Sequence, residues 1–351
     1  MSQEPAVAHS PGLPRERRAI LRGEWRLLAQ VVWLAIALLS LVPFVAGIPL
    51  FFAEIQTVCP DTCFDARMTR EQIDGLLSEG LSVRSYAAFR VGLRLASTLV
   101  WVLIGLLIFW RKSDDRMAWF TALFLVTGGP TVGPEPLNAL VAAYPGWRLP
   151  VELVQELTFV FLSVFFCTFP DGRFVPRWTR WAALLYPLLF TAGAVFRGSP
   201  VDIYTWPLLL NWLALALHFG LLVFAQVYRY RNTSNTRQRQ QTKWVVFGTS
   251  MAFACLVLAI LAGEVIAPSL VQPGSGSFLL FLTGVTLALL LIPVSIAVAV
   301  LRHNLYDIDV IINRTLVYGA LTATIVGLYI LVVGWLGALF QARGNTLIAL
   351  I

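Results

Sequence analysis

Long apolar runs, each close to the length of a membrane-crossing helix, alternate with short polar breaks along the chain. Nine runs stand out, at 27–52, 89–110, 117–142, 150–169, 179–196, 206–228, 244–267, 277–301 and 316–340. A hydrocarbon core roughly 30 Å thick needs about 20 apolar residues in a helix. The pattern therefore predicts an all-α protein: a polytopic transmembrane helical bundle of nine complete spans. A tenth run starts at Thr346 and reaches only Ile351, which as a helix rises about 9 Å. On that count the tenth span is truncated, and the chain is expected to be a fragment or a truncated product.

The first run is far longer than the core of a cleavable signal and has no small-residue cleavage site, so it reads as a span. The residues before it, 1–26, form a basic tail ending in PRERRAILRGEWR.

Two polar or broken stretches carry more detail. Residues 53–88 hold CPDTC and then MTREQIDGLLSEGLSVRSYAAF. Thr69 and Gln72 have capping-box spacing, Ile73, Leu76 and Leu77 form an apolar stripe, and Gly80 stops the helix. Ser82 is placed to cap the next span. The result is a small helical cap with too few residues for a core of its own. The third run contains Gly128, Gly129, Pro130, Gly133, Pro134 and Pro136, so a continuous helix is not expected through it. Either the helix is broken beside a protein-lined cavity, as polar backbone at membrane depth requires, or a short helix is followed by an interfacial loop.

Composition agrees with the pattern. Of 351 residues 58% are hydrophobic and 13% charged, with a mean hydropathy of +0.75, against roughly 25% charged in globular proteins. The net charge of +7 does not point to nucleic acid, because the basic residues sit at the ends of apolar runs and form no stripe. With the N-terminus inside, 18 of the 26 Lys and Arg residues fall on cytoplasmic segments. That asymmetry sets topology. It places Cys59 and Cys63 outside, making 53–88 an extracellular cap, and His303 and Asp307 inside.

Candidate chemistry is sparse. A local disulfide between Cys59 and Cys63 suits the oxidising side; two cysteines without a nearby histidine make a poor metal site. Cys167 and Cys255 sit within spans as packing residues. Arg90 and Arg94 share a face of the second span, Glu152 and Glu156 a face of the fourth, and Glu135 lies in the broken stretch. Intramembrane charges pair or line functional cavities. These five residues therefore form a ligand pocket, form an ion-pair network that fixes packing, or snorkel to the interface. His218 is a lone intramembrane histidine and receives no role. The inner segment FPDGRFVPRWTRW predicts a Pro-Asp-Gly turn with Trp178 and Trp181 as interface anchors. The longer loop RYRNTSNTRQRQQTKWVVFG is suited to anionic lipid heads or a following cytoplasmic module. No Walker loop, GxSxG or HExxH is present. No catalytic residue, metal site or cofactor is expected in this chain.

Five segments, in order, resemble the membrane region of bacterial sensor histidine kinases of the competence-pheromone-receptor type and related sensors of actinobacteria and Chloroflexi. They are EGLSVRSYAAF, LLIFWRKSDDRMAWF, CTFPDGRFVPRW, RQRQQTKWVVFG and LRHNLYDIDVIINRTLVYG. The resemblance implies that 27–351 is a transmembrane sensor domain in the bacterial cell membrane, passing an outer stimulus to a cytoplasmic output. It implies a following phosphoacceptor and ATPase module that is absent here, so this segment alone should have no kinase activity. The last motif resembles the family's polar joint before its final helical hairpin, making Arg302, His303, Tyr306, Asp307, Asp309 and Arg314 the signal-transmitting loop. The partners implied are the lipid bilayer, a second copy in a homodimer, an extracellular ligand of unspecified chemistry and, through the missing module, a response regulator. The residues themselves leave two other classes open: a small-solute transporter or channel, which the broken third span favours, and an integral membrane enzyme, which would need a polar catalytic cluster at one face that the inner loops do not supply.

Overall fold

A computed structural model describes residues 24–59, 66–112, 115–196, 198–200, 202, 205–232, 236–261 and 271–302. The regular elements of the described chain are helices: α1 (Glu24–Ile55), α2 (Arg70–Ser78), α3 (Val83–Lys112), α4 (Arg116–Val132), α5 (Glu135–Ala143), α6 (Arg148–Thr168), α7 (Thr179–Val195), α8 (Leu208–Asn232), α9 (Thr236–Leu261) and α10 (Gly276–Ala297). A π-helical turn, Val298–Arg302, extends α10. No strand occurs among the described residues. Five segments are long and apolar enough to cross a membrane: Leu27–Ile55, Val83–Arg111, Pro145–Thr168, Thr242–Ala259 and Gly276–Val300. The run predicted at 316–340, the tenth run and the tail 1–23 lie outside the described residues.

The outer surface of the bundle is apolar. On α1, Leu27, Val31, Leu34, Leu38, Val42 and Val45 are all exposed, at successive steps of three or four residues. That spacing makes one continuous stripe along the helix, longer than the apolar patches water-soluble monomers expose. It suits contact with lipid tails.

Where apolar surface gives helices no reason to associate, close approach of small residues supplies the contact. A Cβ added to Gly47 on α1 would lie 1.9 Å from the Pro136 carbonyl oxygen of α5, and one on Gly248 of α9 would lie 2.3 Å from Ser295 Cβ of α10. Between α3 and α4, Gly128 and Gly129 seat the buried Trp101: added Cβ atoms would lie 2.9 and 3.0 Å from its side chain.

The third run is interrupted, as its glycines and prolines predict, but this last contact places the break after Gly128–Pro130 rather than at them. α4 continues through Gly128, Gly129 and Pro130 to Val132 and breaks only at Gly133–Pro134, after which α5 begins. The reason is tertiary: Trp101 fills the space above the glycines, and Thr98 Oγ1 donates to the Gly129 carbonyl at 3.2 Å. A helix dense in Gly and Pro is weak alone but is held here by its neighbour.

The predicted capping box at α2 is present. Thr69 Oγ1 accepts from Gln72 N at 3.3 Å and Gln72 Oε1 from Thr69 N at 2.9 Å. Gly80 adopts φ +82°, and Ser82 Oγ accepts from Ser85 N at 3.1 Å. Met68 and Leu76 are fully buried against Phe51, Ile55, Tyr86 and Leu279, while Leu77 of the predicted stripe is exposed. The α2 segment thus borrows a core from α1, α3 and α10. Gly276 N donates to Glu79 Oε2 at 2.7 Å and Gly274 N to Tyr86 Oη at 3.2 Å, which ties the start of α10 to the same place.

Candidate functional site

Arg90 and Arg94 lie one turn apart on α3, near the end of the bundle that carries α2. The break between α4 and α5 delivers Glu135 to them as the first residue of α5, where the helix dipole favours a carboxylate. Arg94 Nη2 donates to Glu135 Oε1 at 2.5 Å, and Arg90 Nη2 lies 3.8 Å from the same oxygen. Gly133 makes this approach feasible, since a Cβ there would stand 2.5 Å from Arg94 Nη1. The break therefore frees the backbone to turn and leaves the space that the guanidinium occupies.

Arg90 is only 6% exposed. Its guanidinium lies 5.3 Å from the Phe51 ring centroid on α1, 5.9 Å from Tyr86 on α3 and 5.7 Å from Phe278 on α10. Aromatic faces at that range attract a cation, more strongly where water is excluded. One buried side chain is thus shared among three helices, with a fourth, α5, supplying the carboxylate.

Two guanidiniums share one carboxylate, so the cluster carries an excess of one positive charge. Arg90 Nε, Arg94 Nε and Glu135 Oε2 are buried and have no hydrogen-bond partner among the described residues. Buried donors without acceptors are costly. An arginine fork matches carboxylate or phosphate geometry. Chemically, the cluster can receive an anionic group, or exchange Glu135 for one.

Of the five residues grouped from the sequence, three come together: Arg90, Arg94 and Glu135. Glu152 forms an i,i+4 pair with Arg148 at 2.9 Å at the start of α6. Glu156 is buried and accepts from Thr191 Oγ1 of α7 at 3.1 Å. Helix α6 presents both acids to partners other than the arginines of α3. Phe51 and Phe278 were not legible as part of the cluster, because they come from separate apolar runs with no polar signal to mark them; Tyr86 sits on α3 at i,i+4 to Arg90, and that spacing was the available signal.

Cys59 is disulfide-bonded, and Cys59 N donates to the Met68 carbonyl at 3.1 Å; Cys63 lies outside the described residues. Cys167 and Cys255 are free, and Cys167 is buried. His218 is buried with Nε2 3.1 Å from Ser163 Oγ. Arg302 closes the π-helical turn after α10, whereas His303, Tyr306, Asp307, Asp309 and Arg314 lie outside the described residues. No cluster of His, Cys, Asp or Glu able to hold a metal occurs among the described residues.

A second polar assembly occupies the opposite end of the bundle, where the sequence predicts a Pro-Asp-Gly turn and a longer basic loop; most of that loop instead belongs to the ends of α8 and α9, which run to Asn232 and from Thr236. Arg229 of α8 is 2% exposed. It donates through Nη2 to the Cys167 carbonyl at 3.1 Å and to the Arg173 carbonyl, and through Nη1 to Asp171 Oδ1. One turn earlier, Gln226 Nε2 donates to the carbonyls of Phe166 and Phe169. The last carbonyls of a helix lack intrahelical donors, and α8 supplies them to α6. The Pro-Asp-Gly turn is as expected: Gly172 has φ +77°, and its N–H donates to the Thr168 carbonyl at 2.8 Å. The available signal was the i,i+3 spacing of Gln226 and Arg229 on an apolar helix.

Comparison of the chain with protein-family profiles, with characterised proteins and with solved structures finds no match in any of the three.

Proposed function

We propose that this chain is the membrane-embedded signal-input region of a two-component-type sensor in a bacterial cell membrane. In this reading it crosses the bilayer nine times with the N-terminus cytoplasmic, α4 and α5 forming one interrupted span. The α2 segment is then an extracellular cap. The observation that supports a sensing role is the Arg90–Arg94–Glu135 cluster beneath that cap. A stimulus that altered the share of Glu135 between the two arginines would act on α1, α3, α5 and α10 together. Intramembrane ionisable residues are functional-site candidates by default, and a two-state element biased by a ligand is what signalling requires.

The genomic reading frame beyond codon 351 tests this reading. A completed span, then a histidine-bearing helical pair and an ATP-binding module, is the expected result. A stop codon soon after a completed span would sink it. The helix break at Gly133–Pro134 beside buried charge also favours a second reading, a small-solute transporter, since interrupted helices line transport sites. Solute flux in proteoliposomes that is lost in Glu135→Gln would support that alternative.

A further inference from the structure

The loop between α6 and α7 borders an open cavity of about 660 Å³, whose lining includes Arg173, Phe174, Val175, Pro176, Arg177 and Arg180. We infer that this cavity binds the phosphate of an anionic phospholipid head, with Arg173, Arg177 and Arg180 as its cationic wall.

Charge is the first observation. The three arginines are exposed, and among the described residues none of their guanidiniums has an acidic partner. The one acid in the loop, Asp171, is taken by Arg229. That pairing leaves the cavity a surplus of positive charge and fixes the loop from beneath, because Arg229 also holds the Cys167 and Arg173 carbonyls. The site is therefore built before anything binds, which lowers the ordering cost of binding.

Depth is the second, independent observation. Trp178 and Trp181, on either side of the α7 start, are 51% and 68% exposed, and Trp110 at the same end of α3 is 87% exposed. Exposed tryptophans at one level of an apolar bundle mark the lipid headgroup region. Arg180 lies 5.0 Å from the Trp181 ring centroid, so cation and anchor are joined. Phe174, Val175 and Pro176 give the cavity apolar walls for the glycerol end of a lipid, and arginine is suited to phosphate. Basic pockets at this depth take anionic headgroups. The inference needs only that α6 crosses a membrane, and so stands apart from the sensor reading.

Native mass spectrometry of the 351-residue chain, titrated with dioleoylphosphatidylglycerol or dioleoylphosphatidylcholine, tests it. The anionic lipid should bind more tightly, and R173Q/R177Q/R180Q should weaken it by about tenfold or more. Removing the same charge from the same end in R111Q/R116Q/R231Q should change binding by less than about twofold. All six side chains are exposed, so both variants should fold; should the first not, R177Q alone should weaken binding about threefold or more. Equal losses in the two triple variants, or no preference for the anionic lipid, would overturn the site. Displacement of bound lipid by millimolar inorganic phosphate would reassign the cavity to free phosphate and overturn the lipid as its ligand.

Discussion

Arg94 donates to Glu135 at 2.5 Å across 41 residues of chain, and the same carboxylate oxygen faces Arg90 at 3.8 Å. This geometry makes the three side chains unequal. Removing Glu135 leaves the buried Arg90 and the partly buried Arg94 without an anion, whereas removing Arg94 leaves Arg90 beside the carboxylate. Breaking a buried pair from one side costs roughly 3–5 kcal/mol. Glu135→Gln is expected to destabilise by about that much, and Arg94→Gln by clearly less. The double variant should cost less than the sum of the two. Reversible unfolding in detergent, arranged as a double-mutant cycle, measures all three; equal single costs that add would refute the shared-carboxylate arrangement.

Glycine positions divide by what lies over them. Gly47→Ala drives a methyl into the Pro136 carbonyl, and overpacking of this kind costs about 1–3 kcal/mol. Gly75 in α2 has nothing within 4 Å of an added Cβ. Gly75→Ala should therefore stabilise, by roughly 0.5–1 kcal/mol from helix propensity. Thermal unfolding of the two variants should move in opposite directions.

Arg229 spans three acceptors that one ammonium cannot reach together. Arg229→Lys should loosen the loop, at a cost of about 2 kcal/mol from buried carbonyls left unpaired. Limited trypsin digestion reads the effect directly, through faster cleavage after Arg173 and Arg177 than in the parent protein. Unchanged cleavage kinetics would show that Arg229 does not hold the loop.

Gly274 has φ +83°, and a Cβ there would lie 2.7 Å from the Gln72 carbonyl oxygen. Gly274→Ala should cost about 1–2 kcal/mol from the left-handed backbone alone, and more from the collision. Because the contact is with α2, amide exchange should accelerate in 70–78 before it changes in α3 or α6.

The helices were largely legible in the sequence because bilayer thickness and the 1.5 Å rise together fix the length of an apolar run. The runs at 27–52, 89–110, 179–196 and 206–228 correspond closely to α1, α3, α7 and α8. The capping box at Thr69 and the turns at Gly80 and Gly172 were legible for a similar reason, since each is set by residues within a few positions of one another.

Partnership was not legible, because spacing along one helix says nothing about the helix opposite. Arg90, Arg94, Glu152 and Glu156 carry the same i,i+4 signal, yet the fold joins only the arginines to Glu135 and gives Glu156 to Thr191. The course of α4 through Gly128–Pro130 depended on Trp101, a residue about 30 positions earlier. The sequence by itself determined an all-helical chain with runs of membrane-crossing length, because the hydrophobic pattern is a local property. The tertiary structure decided which charges meet and which glycines are seats rather than breaks, because both depend on side chains that only packing brings within a few ångströms.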